Sequence, residues 1–176
     1  MSFLLRKISL SKWQKNVGKE KNRHSADAIT GCTRTHNNTL SIWHSNTKDF
    51  SSESVKELIV GLATIMPRPD TIDLMWLDEN DLKDKGLDII STPAQTKLEE
   101  VNIRHRDISS LDYEKLGFVS EHIVQQLQNE DNIKRIRKND LIMLVYEWIQ
   151  KENTFSINDL SHYWEEPLMN ISKSLR

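Results

Sequence analysis

NTLSIWHSNTKDFSSESVKELIVGLATIMPRPDTIDLMWL, residues 38–77, sets its apolar residues two apart at either end and at helical intervals in between. Leu40 and Ile42 alternate with Thr39 and Ser41, which predicts a half-buried strand from Asn38 to His44. Ser52 or Ser54 can start a helix whose stripe is Val55, Leu58, Ile59, Leu62 and Ile65, and Pro67 and Pro69 stop it by removing backbone donors. Thr71 to Leu77 reads as a second strand, with Ile72, Leu74 and Trp76 on one side and Asp73 and Met75 on the other. A strand, a helix and a strand in so short a span predict a βαβ crossover with parallel strands, an antiparallel arrangement being the alternative.

Outward from this core, Asp78 to Lys85 reads as helical turns closed by Gly86, and Leu87 to Ser91 as a third strand before the Thr92-Pro93 turn. Residues 1–10 form an edge strand or a short helix. Lys12 to Ser25 is polar and basic, with Trp13 and Val17 its main apolar residues, and reads as a surface arm. Beyond Pro93 the pattern is helical: Ser109 or Ser110 caps a helix carrying Tyr113, Leu116, Val119, Ile123 and Leu127. The expected fold class is α/β or α+β, with a small three- or four-stranded sheet and flanking helices over residues 1–100. A helical portion follows over residues 101–176.

Within that portion, Asn139 or Asp140 starts a helix with Leu141, Leu144, Val145, Trp148 and Ile149 on one face. Ser156 and Asp159 repeat the start signal as a capping box for a second helix to Trp164. Pro167 fits the first turn of a third, with Leu168, Ile171 and Leu175 on one face. This arrangement resembles a helix-turn-helix core, which implies a last helix lying in the major groove. Glu165 and Glu166 stand where phosphates would approach, and only Lys173 and Arg176 follow them as cations.

The chain has 176 residues, 37% of them apolar and 28% charged, which suits a folded protein with a substantial core. Nothing approaches the roughly 20 consecutive apolar residues of a membrane span, so no membrane association is expected. A single cysteine, Cys32, excludes an internal disulfide and fits a reducing, cytoplasmic setting. Glycine is scarce and the six histidines show no metal-ligand spacing, so neither a cofactor nor a metal is expected. The net charge of -2 conceals an asymmetry: residues 1–48 hold nine Lys or Arg against Glu20 and Asp27, so the remainder carries -9. Opposed charges of this kind suit a polyanionic or acidic partner, or an attraction between the two ends.

Four constellations are candidates for chemistry. The run Asp27 to His44 gathers Cys32, Arg34, His36 and His44 near a strand, where Arg34 and His36 would make an anion-binding site; a loop bonded to its own backbone is the plainer reading. Pro69-Asp70 with Asp81-Leu82-Lys83 resembles the PD-(D/E)xK nuclease motif, but Asp81 and Lys83 fall in a helical turn instead of a strand. His105-Arg106-Asp107 spells the kinase catalytic-loop triplet without the Gly-rich loop, strand lysine or Asp-Phe-Gly that must accompany it, so His105 and its neighbours Arg104 and Arg106 are expected to be exposed and salt-bridged at a helix approach. Finally, the basic N-terminal segment with Trp13 and Trp43 carries the equipment for single-strand binding, Lys and Arg for phosphates and an exposed indole to stack on a base. Trp43, on a strand, is expected in the core, and a solvated basic arm is the plainer reading. Lys134, Arg135, Arg137 and Lys138 form a second, compact basic cluster.

With no convincing catalytic set, the first functional expectation is a small non-catalytic protein that binds a macromolecular partner, as a regulator, adaptor or antitoxin-like immunity protein does. A protein partner is the first reading, docked by charge with Trp13 and Trp164 as aromatic anchors. The alternative is nucleic-acid binding through the helix-turn-helix-like end, including Lys173, and the basic arm. The second alternative is an enzyme using Arg34 and His36.

Overall fold

The computed structural model describes residues 2–33 and 37–174. Strand β1 (Phe3–Ile8) leads into α1 (Leu10–Trp13) and α2 (Ala26–Cys32), followed by β2 (Leu40–Ser45), α3 (Glu53–Thr64) and β3 (Ile72–Asp78). Next come α4 (Glu79–Asp84), β4 (Asp88–Ser91), α5 (Glu99–Asn102) and β5 (His105–Ser109). The last elements are α6 (Tyr113–Gln126), β6 (Ile133–Ile136), α7 (Lys138–Glu152) and α8 (Glu165–Ser174).

The fold mixes α and β, and all six strands join one antiparallel sheet in the order β4-β5-β2-β1-β3-β6. Because β2 and β3 each pair antiparallel with β1, they run in the same direction, as the crossover reading requires. They are not neighbours, however, since β1 lies between them. The expected three or four strands become six, and residues on both sides of position 100 contribute to the sheet.

The strand alternation sorts apolar residues into two cores, one per face. Leu5, Trp43, Ile72, Leu74 and Trp76 pack against α3, α7 and the C-terminal turns. Leu4, Ile8, Leu40, Ile42, Met75, Leu77 and Ile108 pack against α1, α2, α4 and α6. Gly61 lets α3 approach α5 closely, since a Cβ there would lie 2.7 Å from Cγ1 of Val101.

Lys12 to Ser25, expected as a surface arm, is folded down on the second face together with the rest of residues 9–33. Trp13 is fully buried, and buried Asn16 accepts from the backbone N–H of Ser25 at 2.8 Å. Ser25 then caps α2 by accepting from Ala28 at 3.3 Å. The polar letters of this segment cover its exposed side, while Trp13, Asn16, His24, Ala28 and Cys32 are buried beneath them.

At the other end of the chain the Ser156–Asp159 capping box forms, but it starts a 3-10 turn, and a second such turn covers His162–Trp164. The expected middle helix is therefore absent. Trp164 is fully buried and its indole N–H donates to the Met66 carbonyl at 3.1 Å, tying these turns to the loop before β3. No described helix is long and apolar enough to cross a membrane.

Helix α6 supplies a pH-sensitive contact to this framework. Buried His122 accepts the backbone N–H of Asp78 on Nε2 at 3.0 Å, and burial lowers its pKa from the ordinary 6.5 against the opposing pull of Asp81 and Asp78. Half-exposed His44 is shifted in the same direction, again chiefly by burial. Below 6.5 the unfolded chain takes up protons that the folded chain resists. Stability is therefore full above that value and falls as pH drops through it. Denaturant melts at neutral and mildly acid pH are expected to show this fall, and His122→Gln to flatten it; an unchanged slope in His122→Gln would assign the effect elsewhere. Asp49, whose carboxyl Ser51 holds below its ordinary 3.8, contributes only in a more acid window.

Candidate docking site at the basic end of the sheet

Strand register decides which cations meet. Ile8 pairs with Asp73 and Asp73 with Arg135; one row further, Lys7 pairs with Leu74 and Leu74 with Lys134. The end of β1 and the end of β6 thus lie at the same edge of the sheet, on either side of the start of β3. The N-terminal basic segment and the Lys134–Lys138 cluster, over a hundred residues apart in sequence, become neighbours there.

Asp73 organises this edge from beneath. Its carboxylate is largely buried and receives Arg135 through Nε at 2.7 Å and Nη2 at 3.1 Å, together with the Leu10 backbone N–H at 3.1 Å. The forked geometry holds the guanidinium firmly and keeps its pKa above its ordinary value. Arg135 is thereby largely neutralised, and its role is to anchor α1 and β6 together. Helix α7 begins just beyond, where the Lys138 backbone N–H donates to Thr71 Oγ1 at 3.2 Å.

Around this anchor, Lys7, Arg68, Lys134, Arg137 and Lys138 are exposed and Lys12 is half-buried. Among the described residues none of these six takes part in an ion pair. Lys15, Lys19, Lys21 and Arg23 extend the positive surface along the folded-down segment, with Lys21 seated over the Phe118 ring at 4.2 Å. Asp70 and Asp140 are interspersed and exposed. Unpaired like charges gathered at one end of the sheet raise a positive potential, strongest at low salt, that an acidic surface would neutralise.

Apolar groups border the same edge. Ile65 is 50% exposed in the loop leading to β3, and Tyr113 is 95% exposed at the start of α6. The Leu111 backbone N–H donates to the Asn38 carbonyl at 2.9 Å, which fixes the turn before α6 against the start of β2. Val119 and Ile123 of the expected stripe are buried, whereas Tyr113, the first residue of α6, is exposed.

The two tryptophans expected as anchors, Trp13 and Trp164, are core residues with no exposed surface. Lys134, Arg135, Arg137 and Lys138 all lie at the basic edge, and Lys173 is exposed near the end of α8, which flanks a groove shared with the start of α7. Arg34 and His36 lie outside the described residues. Cys32 is buried at the end of α2, where Sγ accepts from the Ser9 backbone N–H at 3.1 Å.

Other expectations are corrected by strand placement. His105 and Asp107 are buried on β5: Asp107 accepts from Thr92 Oγ1 at 2.7 Å and Ser41 Oγ at 3.2 Å, and the His105 ring meets Trp43 edge-on at 4.8 Å. Arg104 alone of that stretch is ion-paired, to Glu57 at 3.2 Å. Asp70 precedes β3 and Asp81 follows it, so a whole strand separates the carboxylates of the nuclease-like motif. No three His, Cys, Asp or Glu residues among those described stand close enough to hold a metal ion.

Comparison with protein-family models, with curated proteins and with solved structures found no match.

Proposed function

We propose that this is a non-catalytic binding protein that docks an acidic protein partner on the basic end of its sheet, in the manner of a regulator, adaptor or immunity protein. The observation that carries the reading is the strand register that gathers two distant clusters of unpaired cations at one edge. Charge of this kind steers encounter and sets specificity, while Tyr113 and Ile65 supply apolar contact where water is excluded. A nucleic acid is the second reading, favoured by the same cations. It is opposed by Asp70, Asp140, Asp112 and Glu114, exposed carboxylates that an acidic protein can meet with cations of its own and a uniform row of phosphates cannot. A cytoplasmic setting belongs to this reading and is supported by the single free thiol of Cys32.

The test combines Lys7→Glu, Lys134→Glu and Lys138→Glu, three exposed changes that leave both cores untouched. Capture of an acidic protein by the wild-type chain is expected to survive nuclease and to associate roughly 100-fold more slowly with the triple variant, with a flattened dependence on salt. Circular dichroism should be unchanged. Capture that nuclease abolishes would replace the protein reading with the nucleic-acid one, and equal association of the two chains would remove the basic edge from the mechanism altogether.

A further inference from the structure

The antiparallel sheet has two edges, and the sequence treats them differently. β6 carries exposed Lys134 and Arg135, charges of the kind that deter another strand from pairing. β4, at the other edge, reads Asp-Ile-Ile-Ser and pairs with β5 alone. Ile90 is 44% exposed there, while Ile89 packs against the second core. A groove of about 540 Å³, lined by Gly86, Asp88, Ile89 and Ile90 among others, accompanies the strand.

The β4–β5 ladder fixes which backbone groups are left over. The Thr92 N–H donates to the His105 carbonyl at 3.4 Å, and bonded pairs alternate with non-bonded ones along an antiparallel ladder. In the register that pairs Asp88 with Ser109 and Ile90 with Asp107, those two pairs are therefore the bonded ones. The N–H and C=O of Ile89 and of Ser91 point away from β5, and among the described residues nothing bonds them. This free stretch is bounded on both sides. At the next outward position before it, the Leu87 N–H is taken by the Leu82 carbonyl at 3.2 Å, and at the next after it Pro93 has no N–H to offer.

We propose that β4 pairs antiparallel with β4 of a second copy of this chain about a two-fold axis at Ile90, joining the two sheets edge to edge. A register that sets Ile90 opposite Ile90 bonds Ile89 of each copy to Ser91 of the other, so both outward N–H groups and both outward carbonyls are used. The next bondable register on either side meets the engaged Leu87 or Pro93, and leaves one of those carbonyls on each copy without a donor. Ile90 and its counterpart form a non-bonded pair, in which Cα atoms approach to about 4.5 Å and side chains meet most closely, so the exposed isoleucine becomes covered. The charges are compatible. Each Asp88 falls opposite Thr92 of the other copy, and the two carboxylates stand at opposite ends of the ladder. A second copy fits better than a foreign strand because this one short sequence supplies both halves of the match. A ladder of this length is small beside the roughly 1,200–2,000 Å² of a stable interface, so the pair is weak and its population follows concentration. The inference is independent of the docking reading, since none of the cations at the basic end lies on β4.

The experiment is sedimentation velocity with amide resonance spectra of the full chain over a concentration series. The sedimentation coefficient is expected to rise toward that of a dimer and no further, since a two-fold pair closes on itself. The Ile89 and Ser91 amides should shift and gain exchange protection along the same series, whereas the Ile90 amide, bonded within the chain, stays protected throughout. Ile90→Lys, at an already exposed position, should weaken association roughly tenfold or more with an unchanged circular dichroism spectrum. Ile90→Cys should form an intermolecular disulfide under mild oxidation, because its Cα separation lies within disulfide range, and Asp88→Cys, far from its counterpart, should not. The wild-type chain, whose Cys32 is buried, serves as the blank. A monomer at every concentration overturns the proposal and leaves the edge to an extended segment of another protein. So does association that Ile90→Lys leaves at wild-type strength, assembly that does not move the Ile89 and Ser91 amides, or cross-linking of Ile90→Cys no faster than that of Asp88→Cys.

Discussion

Trp164→Ala is expected to destabilise the whole chain by about 3–5 kcal/mol, the range for excising a large aromatic side chain from a packed interior. Trp164 is fully buried among the residues that join the C-terminal turns to α3 and α7, so its removal leaves a cavity with no solvent route to refill it. It also strips the Met66 carbonyl of its indole donor, which adds the cost of an unpaired buried acceptor. For a chain of this length such a loss lowers the melting temperature by roughly 10 °C. Urea unfolding followed by far-ultraviolet circular dichroism and by tryptophan fluorescence should give coincident transitions, both shifted. A separate early transition confined to the last twenty residues would mean that the C-terminal helix is an appendage, and would return the helix-turn-helix likeness to consideration. Partner affinity measured well below the transition should stay at the wild-type value, because Trp164 presents no surface to dock on.

The contrast between what the sequence disclosed and what it hid follows from burial on two faces. β2 and β3 were legible because each carries an alternation or an apolar run bounded by turns, and α3, α6 and α7 because their stripes recur at helical spacing. β1 was ambiguous because both of its faces are covered: Leu4 and Leu5 point to opposite cores, so a central strand lost the alternation that marks an edge. β5 and β6 were invisible for another reason. Their letters, His-Arg-Asp-Ile-Ser and Ile-Lys-Arg-Ile, are polar, and only long-range contacts make them strands: Asp107 finds two hydroxyl donors across the sheet, and Arg135 finds Asp73.

The candidate site was half legible on the same grounds. The charge asymmetry and the Lys134–Lys138 cluster are properties of composition, and they survive folding as exposed residues. Their meeting at one edge is a property of register, which no local pattern reports. Arg6 was hidden further still. In the sequence it is one cation beside Lys7, and only the parting of β1 from β2 makes it a half-buried charge that donates to the Ser41 and Cys32 carbonyls. The general lesson for tryptophan is that a ring in a polar stretch, such as Trp13, is as readily the pin that holds the stretch down as a ring offered to a partner.

That distinction makes Trp13→Ala the sharper of the two large-effect substitutions. Trp13 is fully buried with Ala28, Cys32 and Met75 in the second core and meets His24 edge-on at 6.4 Å, so deletion of its ring is expected to cost about 3–5 kcal/mol. The consequence reaches function through the segment it holds. Residues 9–33 have few other buried groups, chiefly Asn16, His24, Ala28 and Cys32, so losing Trp13 should free the segment before the sheet unfolds. Trypsin is then expected to cut at Lys15 and Lys19 under conditions where the wild-type chain resists, and the lysines that extend the basic edge lose their fixed positions. Partner association should slow while the remaining core still melts cooperatively. Trp13→Phe separates packing from hydrogen bonding: the Trp13 indole N–H is buried without a partner, so removing it relieves a deficit that offsets part of the lost ring area. The phenylalanine variant should therefore stay within about 1–2 kcal/mol of wild type and keep its protease resistance. If instead Trp13→Ala weakened only the partner complex, leaving stability and proteolysis unchanged, the ring would have to be exposed in the working protein, and the basic edge described here would not be the surface that docks.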